Sequence, residues 1–350
     1  MKNEIPAYNN QEEKRKFFTL EIIDTDEQLF KFMKPLPELY HEKRGIWRGL
    51  PESRFKLYNS LQRKNLGSKN LNSIENVINA IVNSTNLLVN WNKGLIIKYF
   101  SNYGIEEVPI YAKLSILQHF GCETPLLDWT RNPNIALYFA TSFSTKSLIK
   151  NSIDEYFSIY FIKKEHPYYN LNSKKGHELF VSKKPKDILT RFLEFKKIGF
   201  SKSFINDYFN DNKNLLNSIY KFPIQRIDDA EKKYVNHYTM SNYNITAQDG
   251  LFILNADPYL PLEEFIIQRA KDLSTQKMEP SIDIVDALNR SKENFICFDI
   301  HKKFIPKIIE ALNFEKINIT KETMEPDFKK LKDEITFEKI AKNIEGNDHA

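Results

Sequence analysis

The chain has few cysteines and no long hydrophobic run. Its 350 residues include 2 cysteines, Cys122 and Cys297, which are too few for a disulfide framework or a zinc site made of thiolates alone. So sparse a pair fits a reducing compartment. No apolar run approaches the roughly 18 residues of a membrane span, and the N-terminus lacks the charged-then-apolar pattern of a signal peptide. We therefore expect a cytoplasmic protein with no membrane partner.

Common catalytic motifs are also missing. The sequence has no Gly-x-x-x-x-Gly-Lys-Ser/Thr loop, no Gly-x-Gly-x-x-Gly, no Gly-x-Ser-x-Gly and no His-Glu-x-x-His. Its 7 histidines show no ligand spacing, so we expect no metal. Cys122 lies three residues after His119, as a Cys-His nucleophile might require, but the intervening Gly121 is typical of a helix end and favours simple packing of the thiol.

The charge of the chain is nearly balanced. Lys and Arg number 51 against 46 Asp and Glu, which gives a formal net charge of +5. Much of the lysine excess gathers in residues 163–221, where periodic apolar residues predict a helical insertion. This Lys-rich insertion could bind nucleic acid through its phosphates. The alternative is a set of solvated helices that cover a sheet edge or meet a second subunit.

Hydrophobic periodicity predicts a single elaborated α+β domain. The length would allow two domains, but no linker or repeat divides the chain, and 26 Phe and 17 Tyr exclude wholesale disorder. A polar arm, 1–23, precedes the domain, 24–335, and a helix end and tail, 336–350, follow it. Alternation and length predict strands at 45–50, 156–162, 222–227, 251–254, 295–300 and 317–319, and helices from 25 to 34, within a helical insert at 68–104, and at 109–121, 132–143, 304–312 and 326–342.

Residue types at helix ends support these boundaries. Thr25 and Gln28 have the spacing of a capping box. Asn132 followed by Pro133 is typical of a helix start. Gly121 suits a left-handed C-terminal cap.

Four blocks of the sequence stand out together. They are Trp47-Arg48-Gly49; Leu-Gln-His-Phe-Gly at 117–121; Thr-Pro-Leu-Leu-Asp-Trp-Thr at 124–130, which runs into Ala-Leu-Tyr-Phe-Ala at 136–140; and Ala-Gln-Asp-Gly-Leu-Phe at 247–252. In this order they resemble the FRG domain family, named for its aromatic-Arg-Gly strand. The resemblance extends over about 24–335, interrupted by the two insertions. Pro125 stands where the family usually has an arginine, which puts any ligand contact of that arginine in doubt here.

The resemblance implies a fold and an activity. FRG domains are similar in outline to ADP-ribosyltransferases, so the central sheet would be mixed or antiparallel and NAD would be the substrate. The protein would be an effector of a bacterial toxin or anti-phage defence module that modifies a macromolecule or consumes NAD. The alternative is a module that binds a nucleotide, a nucleic acid or a phage component without turnover.

On this analogy Arg48 holds the phosphates of NAD, because a guanidinium makes bidentate bonds to phosphate oxygens, and Gly49 lets the ligand approach the backbone. Alternatively, Arg48 pairs with the carboxylate of Asp128, and Gly49 only starts a turn.

Other residues of the blocks are candidate contacts of NAD. These are His119, Thr124, Trp129 and Tyr138. Each has a structural alternative: His119 at a helix C-terminus can bond a terminal carbonyl, and Trp129 and Tyr138 can pack in the core.

Gln248 lies where an ADP-ribosyltransferase has an acidic residue. An amide can bond a ribose hydroxyl but brings no negative charge to a positively charged transition state. If Gln248 occupies that position, catalysis must use Asp128, Asp249 or Glu263/Glu264, or be lost. Arg48, Asp128 and Gln248 are thus the candidate catalytic residues.

Overall fold

The protein is described here from a computed structural model. The description covers residues 5–68, 73–90, 110–119, 121–144, 152–164, 166, 224–227, 245, 247–275, 292–313 and 319.

The described residues contain nine α-helices and seven strands. The helices are α1 Gln11–Arg15, α2 Asp26–Met33, α3 Leu36–His41, α4 Ser60–Ser68, α5 Ile74–Asn90, α6 Ile110–His119, α7 Pro133–Ser142, α8 Leu262–Thr275 and α9 Ile305–Leu312. The strands are β1 Thr19–Ile23, β2 Gly45–Leu50, β3 Leu126–Thr130, β4 Tyr156–Lys163, β5 Ile224–Ile227, β6 Gly250–Asn255 and β7 Phe295–His301.

These strands form one mixed sheet in the order β1-β7-β4-β2-β3-β6-β5. β1 and β7 are parallel, and the other paired neighbours are antiparallel. Alternate side chains of β4 enter different cores: Tyr160 and Ile162 join a cluster with α8, whereas Phe157, Ile159 and Phe161 join one with α2, α7 and α9. The sheet is therefore covered on both faces. The α+β class is confirmed, as is its mixed sheet.

The predicted helix ends are confirmed in detail. Thr25 Oγ1 accepts a hydrogen bond from the Gln28 amide at 3.2 Å, and Gln28 Oε1 accepts one from the Thr25 amide at 3.0 Å. Asn132 Oδ1 accepts from the Asn134 amide at 3.0 Å at the start of α7. Gly121, after α6, has a φ of 78°, which a residue with a side chain rarely adopts.

The expectation of a loose N-terminal arm over 1–23 is wrong for the described residues 5–23. Helix α1 and strand β1 lie in this segment, and β1 pairs along its whole length with β7. Both elements have five residues, so neither is long enough to show a clear period. Lys14 of α1 also makes the segment look polar in the sequence, although its side chain is buried.

Lys14 is fully buried and paired with Asp299 of β7. Its Nζ donates to Asp299 Oδ1 at 2.5 Å and to Ser158 Oγ at 2.8 Å. It also donates to the backbone carbonyl of Ser53 at 3.0 Å. Burial lowers the pKa of Lys14, but the charges and hydrogen bonds of Asp299 and Cys297 together outweigh it, and the net shift is upward. These bonds thus anchor the N-terminal segment to strands β7 and β4.

Several predicted elements lie outside the described residues. These are most of the Lys-rich insertion at 163–221, the parts of the helical insert at 69–72 and 91–104, the helix at 326–342 and the tail at 336–350. The predicted strand at 317–319 has only Ile319 in the described set. None of the helices in the described part of the chain has the length and apolar character of a membrane span.

Removing Lys14 should destabilise the whole domain. Lys14→Met leaves the Asp299 carboxylate buried without a counter-charge, which typically costs about 3–5 kcal/mol. We expect this loss in the free energy of unfolding measured by urea titration. Lys16→Met, at an exposed neighbouring position, should change it by less than about 0.5 kcal/mol. A loss below about 1 kcal/mol in Lys14→Met would contradict a buried pair whose breakage is strongly destabilising.

Candidate functional site

Strands β2 and β3 are neighbours in the sheet but separate beyond one residue pair, and the place where they separate is called the parting of the sheet. These strands share one register pair, Trp47 with Thr130, whereas all six residues of β2 pair with β4 and all five of β3 pair with β6. A cleft of about 370 Å³ lies at this parting. This volume is within the range of about 300–1,000 Å³ that small-molecule sites occupy.

The blocks singled out in the sequence converge on this cleft. Its lining includes Trp47, Arg48 and Gly49 of β2, Gln118 and His119 at the end of α6, Asp128, Trp129 and Thr130 of β3, Ala136, Phe139 and Phe143 of α7 and its cap, and Gln248 before β6. Residues up to 205 positions apart in the chain, Trp47 and Phe252, therefore meet at one site.

Arg48 is largely enclosed at the parting, with 14% of its side chain exposed. Its Nη1 donates to the backbone carbonyl of Asp128 and lies 3.9 Å from the Asp128 carboxylate. Its Nε is buried and has no hydrogen-bond partner within the part of the chain that the structure describes. Burial lowers the pKa of Arg48 and the charge of Asp128 opposes this shift. The predicted pairing with Asp128 is therefore present, but it leaves a donor of the guanidinium unused.

Asp128 is held in place by a chain of side chains. Gln118 Nε2 donates to Asp128 Oδ2 at 2.9 Å, and the hydroxyl of Thr124 donates to Gln118 Oε1. Thr124 Oγ1 in turn accepts from the Leu126 amide at 3.2 Å. The Asp128 side chain is nevertheless 58% exposed. The cleft thus contains an accessible carboxylate of fixed orientation.

Thr124 does not have its predicted place in the site. It is buried, with 1% exposed, and is not among the residues that line the cleft. Its hydroxyl orients the amide of Gln118 instead. Gln118, which the sequence analysis did not select, makes the direct contact to Asp128.

Gly49 lies against helix α7. A Cβ added at Gly49 would lie 1.9 Å from the carbonyl oxygen of Ala136 and 3.0 Å from the Cβ of Ala140. The two alanines are also required by this close approach, because larger residues would push the helix off the strand. The space that a side chain at position 49 would fill is taken by α7, so helix packing accounts for the glycine.

Trp129 and Tyr138 both show the packing that was the structural alternative for each. Trp129 is 3% exposed and packs in the core with Phe295, although it also borders the cleft. Tyr138 packs against Phe139 and is not a lining residue, because one helical step turns it away from the face of Ala136. Phe139 and Phe143 line the cleft in its place, and Phe143 is 61% exposed. The spacing of Ala136, Phe139 and Phe143 on one helical face was visible in the sequence, but neither phenylalanine was a candidate contact.

Gln248 borders the cleft, as predicted. Its backbone carbonyl accepts a hydrogen bond from Thr130 Oγ1 at 2.6 Å. The next residue, Asp249, has a φ of 43° and pairs with Arg131 at 2.9 Å. The turn before β6 is thus bonded to the end of β3, and this places Gln248 at the cleft.

Of the carboxylates considered as substitutes for an acid at 248, Asp128 is the one in the cleft lining. Asp249 is engaged by Arg131. Glu263 is buried, accepts from the Tyr8 hydroxyl at 2.6 Å, and has a pKa raised by burial to about 7. Glu264 pairs with Lys56 at 2.6 Å. The acidic chemistry of the described cleft therefore rests on Asp128.

Cys122 is not arranged as a nucleophile. It is buried in a cluster with α5 and α6, and burial raises the pKa of its thiol to about 11. A thiol in this state is almost fully protonated near neutral pH. Among the described residues, no group of three or more His, Cys, Asp and Glu side chains is arranged to hold a metal ion.

This geometry agrees with a comparison of the sequence with family models. Residues 43–148 match the FRG domain. The matched segment contains Arg48, Gln118, His119 and Asp128, so the predicted family resemblance is confirmed for the part of the chain that supplies most of the cleft. Gln248 lies outside the matched residues.

No curated protein and no solved structure matches the chain. The FRG assignment therefore rests on the family match and on the blocks within it. The likeness to ADP-ribosyltransferases stays a prediction.

The contact between β2 and α7 in the FRG segment should tolerate no side chain at position 49. Gly49→Ala forces strand and helix apart, and overpacking of this kind typically costs about 1–3 kcal/mol. We expect a lower urea midpoint with an unchanged slope. Gly250→Ala is the control, because its added Cβ would lie 3.2 Å from the nearest atom and should cost less. Equal losses in the two variants would contradict the assigned role of Gly49.

Proposed function

We propose that the cleft binds NAD and that the protein uses it as a donor of ADP-ribose, either to a macromolecular acceptor or to water. The observation that carries this proposal is the Arg48 guanidinium, enclosed at the parting of the sheet, whose Nε–H group has no hydrogen-bond partner among the described residues. The family match supports it, because it covers the segment that supplies Arg48 and Asp128.

Arg48 suits the phosphates of a nucleotide. A buried donor without a partner costs free energy, and a phosphate oxygen entering the cleft would remove that cost. A guanidinium stays protonated at physiological pH and is more weakly hydrated than an ammonium. Arg48 thus offers an anion a charge that is already in place.

Asp128 suits the ribose that carries the reacting bond. In the proposed reaction the bond between ribose C1′ and the nicotinamide nitrogen breaks, and nicotinamide leaves with the electron pair. The acceptor oxygen or nitrogen bonds to C1′ and loses a proton to solvent. The sugar is positively charged in the transition state, and a fixed carboxylate nearby stabilises that charge. Gln118 holds Asp128 for this role.

The aromatic side of the cleft suits a planar ring. Phe139 and Phe143 lie on one face of α7 and border the cleft. The exposure of Phe143 leaves a ring face accessible to nicotinamide or adenine. Stacking of this kind with a base is typically worth about 1–3 kcal/mol. His119 lies at the end of α6 on the same cleft and is a further candidate contact.

We place this activity in a bacterial toxin or anti-phage defence module, on the strength of the FRG resemblance alone. NAD added to the purified protein, or the NAD of a cell that expresses it, would then be consumed.

A second function is favoured by one observation. Gln248, not an acid, borders the same cleft as Arg48, and Asp128 is already engaged by Gln118 and Arg48. The cleft would then bind a nucleotide without breaking it. The same ligand would raise the melting temperature of the protein but remain intact.

The test is release of nicotinamide from NAD by the purified protein. We expect turnover in the wild type. Asp128→Asn should lower the rate by about 10²- to 10³-fold, the usual cost of one electrostatic stabiliser, while NAD still raises the melting temperature. Arg48→Lys keeps the charge but loses the planar fork, so it should weaken NAD binding.

Matched controls lie outside the cleft. Arg54 and Asp154 form an ion pair at 3.5 Å, and Arg54→Lys and Asp154→Asn should leave both turnover and binding unchanged. A thermal shift with no turnover in the wild type would establish the binding function instead. Neither turnover nor thermal shift would refute both functions.

A further inference from the structure

A second cavity lies under helices α2 and α3, on the face of the sheet that α7 also covers. Its volume is about 560 Å³, which is larger than that of the cleft. Residues of four neighbouring strands, β1, β7, β4 and β2, form its floor, and residues of α2 and α3 form its roof. A cavity of this size with a mostly apolar and aromatic lining is typical of small-molecule sites.

The floor of this second cavity is aromatic. Trp47 and Phe161, a register pair of β2 and β4, stack with their ring centres 3.9 Å apart, and the ring of Phe298 on β7 lies 6.4 Å from that of Trp47. Phe32 and Leu36 border the cavity from the roof. Each of these five side chains is at most 9% exposed. An apolar ligand in the cavity would therefore be stabilised by about 25 cal/mol for each Å² that it removes from water.

The floor also contains a donor without an acceptor. The indole nitrogen of Trp47 is buried and has no hydrogen-bond partner among the residues that the structure describes. An indole N–H can only donate, and a buried donor left without an acceptor costs about 1–3 kcal/mol. Trp47 borders both the cleft and the second cavity, so the missing acceptor belongs to a wall that the two share.

One end of the second cavity has an uncompensated positive charge. Lys163 of β4 lines the cavity and follows Phe161 by two residues, so both side chains are on the same face of the sheet. Within the described part of the chain Lys163 forms no ion pair. The other lysine of the lining, Lys31 of α2, pairs with Glu27 at 2.8 Å. Lys163 is therefore the cation that is free to attract an anion.

The acidic residue of the lining, Glu21, lies at the other end of the cavity. Glu21 of β1 is in register with Phe298 of β7 and, through it, with Ile159 of β4, four residues before Lys163. Two strand spacings and four residues of an ideal sheet separate the Cα atoms of Glu21 and Lys163 by about 17 Å. Glu21 thus leaves the charge of Lys163 uncompensated.

We propose that the second cavity binds a carboxylate with an apolar body, such as a medium-chain fatty acid. The carboxylate pairs with Lys163, and the apolar body lies on the floor formed by Trp47, Phe161 and Phe298. One uncompensated lysine matches one negative charge, which favours a carboxylate over the dianion of a phosphate. Binding here does not require NAD in the cleft.

Octanoate and 1-octanol test the site, because they share an apolar chain and differ in the charge of the head. We expect the wild type to bind octanoate more tightly in titration calorimetry. Lys163→Gln should weaken octanoate binding by about 10- to 100-fold, which corresponds to a lost hydrogen bond to a charged group, and leave 1-octanol binding unchanged. Lys164→Gln is the matched control, since Lys164 is adjacent and exposed but does not line the cavity, and it should alter neither affinity.

A second variant tests the position of the apolar body. Leu39 of α3 lines the cavity and is partly buried, so Leu39→Trp puts an indole into the space and should abolish binding of both ligands. A urea titration checks that this variant is folded, and Lys163→Gln tests the site without a change in the core. No octanoate binding by the wild type, equal weakening of the two ligands in Lys163→Gln, or unchanged octanoate binding in folded Leu39→Trp would overturn the proposal. NAD turnover in the cleft is measured separately and is unaffected by these outcomes.

Discussion

The site depends on the burial of one guanidinium where two strands separate. A sheet normally satisfies its backbone groups by continuous pairing, and between β2 and β3 that pairing is reduced to Trp47 with Thr130. Arg48 compensates in part, because its Nη1 bonds the carbonyl of Asp128 on the opposite strand. The same contact brings a carboxylate to the cleft and leaves Arg48 Nε without a partner. The side chain of Arg48 thus bonds the neighbouring strand and is also the proposed contact for the ligand.

The surrounding elements maintain this opening. Helix α7 lies close to β2 only because position 49 has no side chain, and the closeness puts Phe139 and Phe143 on the cleft. Gln118 and Thr124 fix Asp128 from the other side. Thr124 is in turn bonded to Ser60, which fixes α4 to the segment that leads into β3. Far from the cleft, the buried pair of Lys14 and Asp299 anchors the N-terminal segment to the sheet.

Much of this arrangement could be predicted from the sequence, and the exceptions have physical causes. Capping residues such as Thr25 and Asn132 act locally, so they mark helix starts without any tertiary contact. Arg48, Asp128 and Gln248 were found because they belong to blocks of unusual composition. The place of Lys14 was missed because nothing local shows that Asp299, 285 residues away, is its partner. Thr124 is turned away from the cleft and Gln118 bonds Asp128 instead, because packing sets the direction of a side chain.

The central claim is that Arg48 binds phosphate at the parting of β2 and β3. A crystal structure of the protein with ADP-ribose tests it most directly. The account predicts phosphate oxygens within about 2.7–2.9 Å of the Arg48 guanidinium, the distance of a charge-assisted hydrogen bond, with the ribose near Asp128. ADP-ribose bound elsewhere, with Arg48 still bonded only to the Asp128 carbonyl, would contradict it.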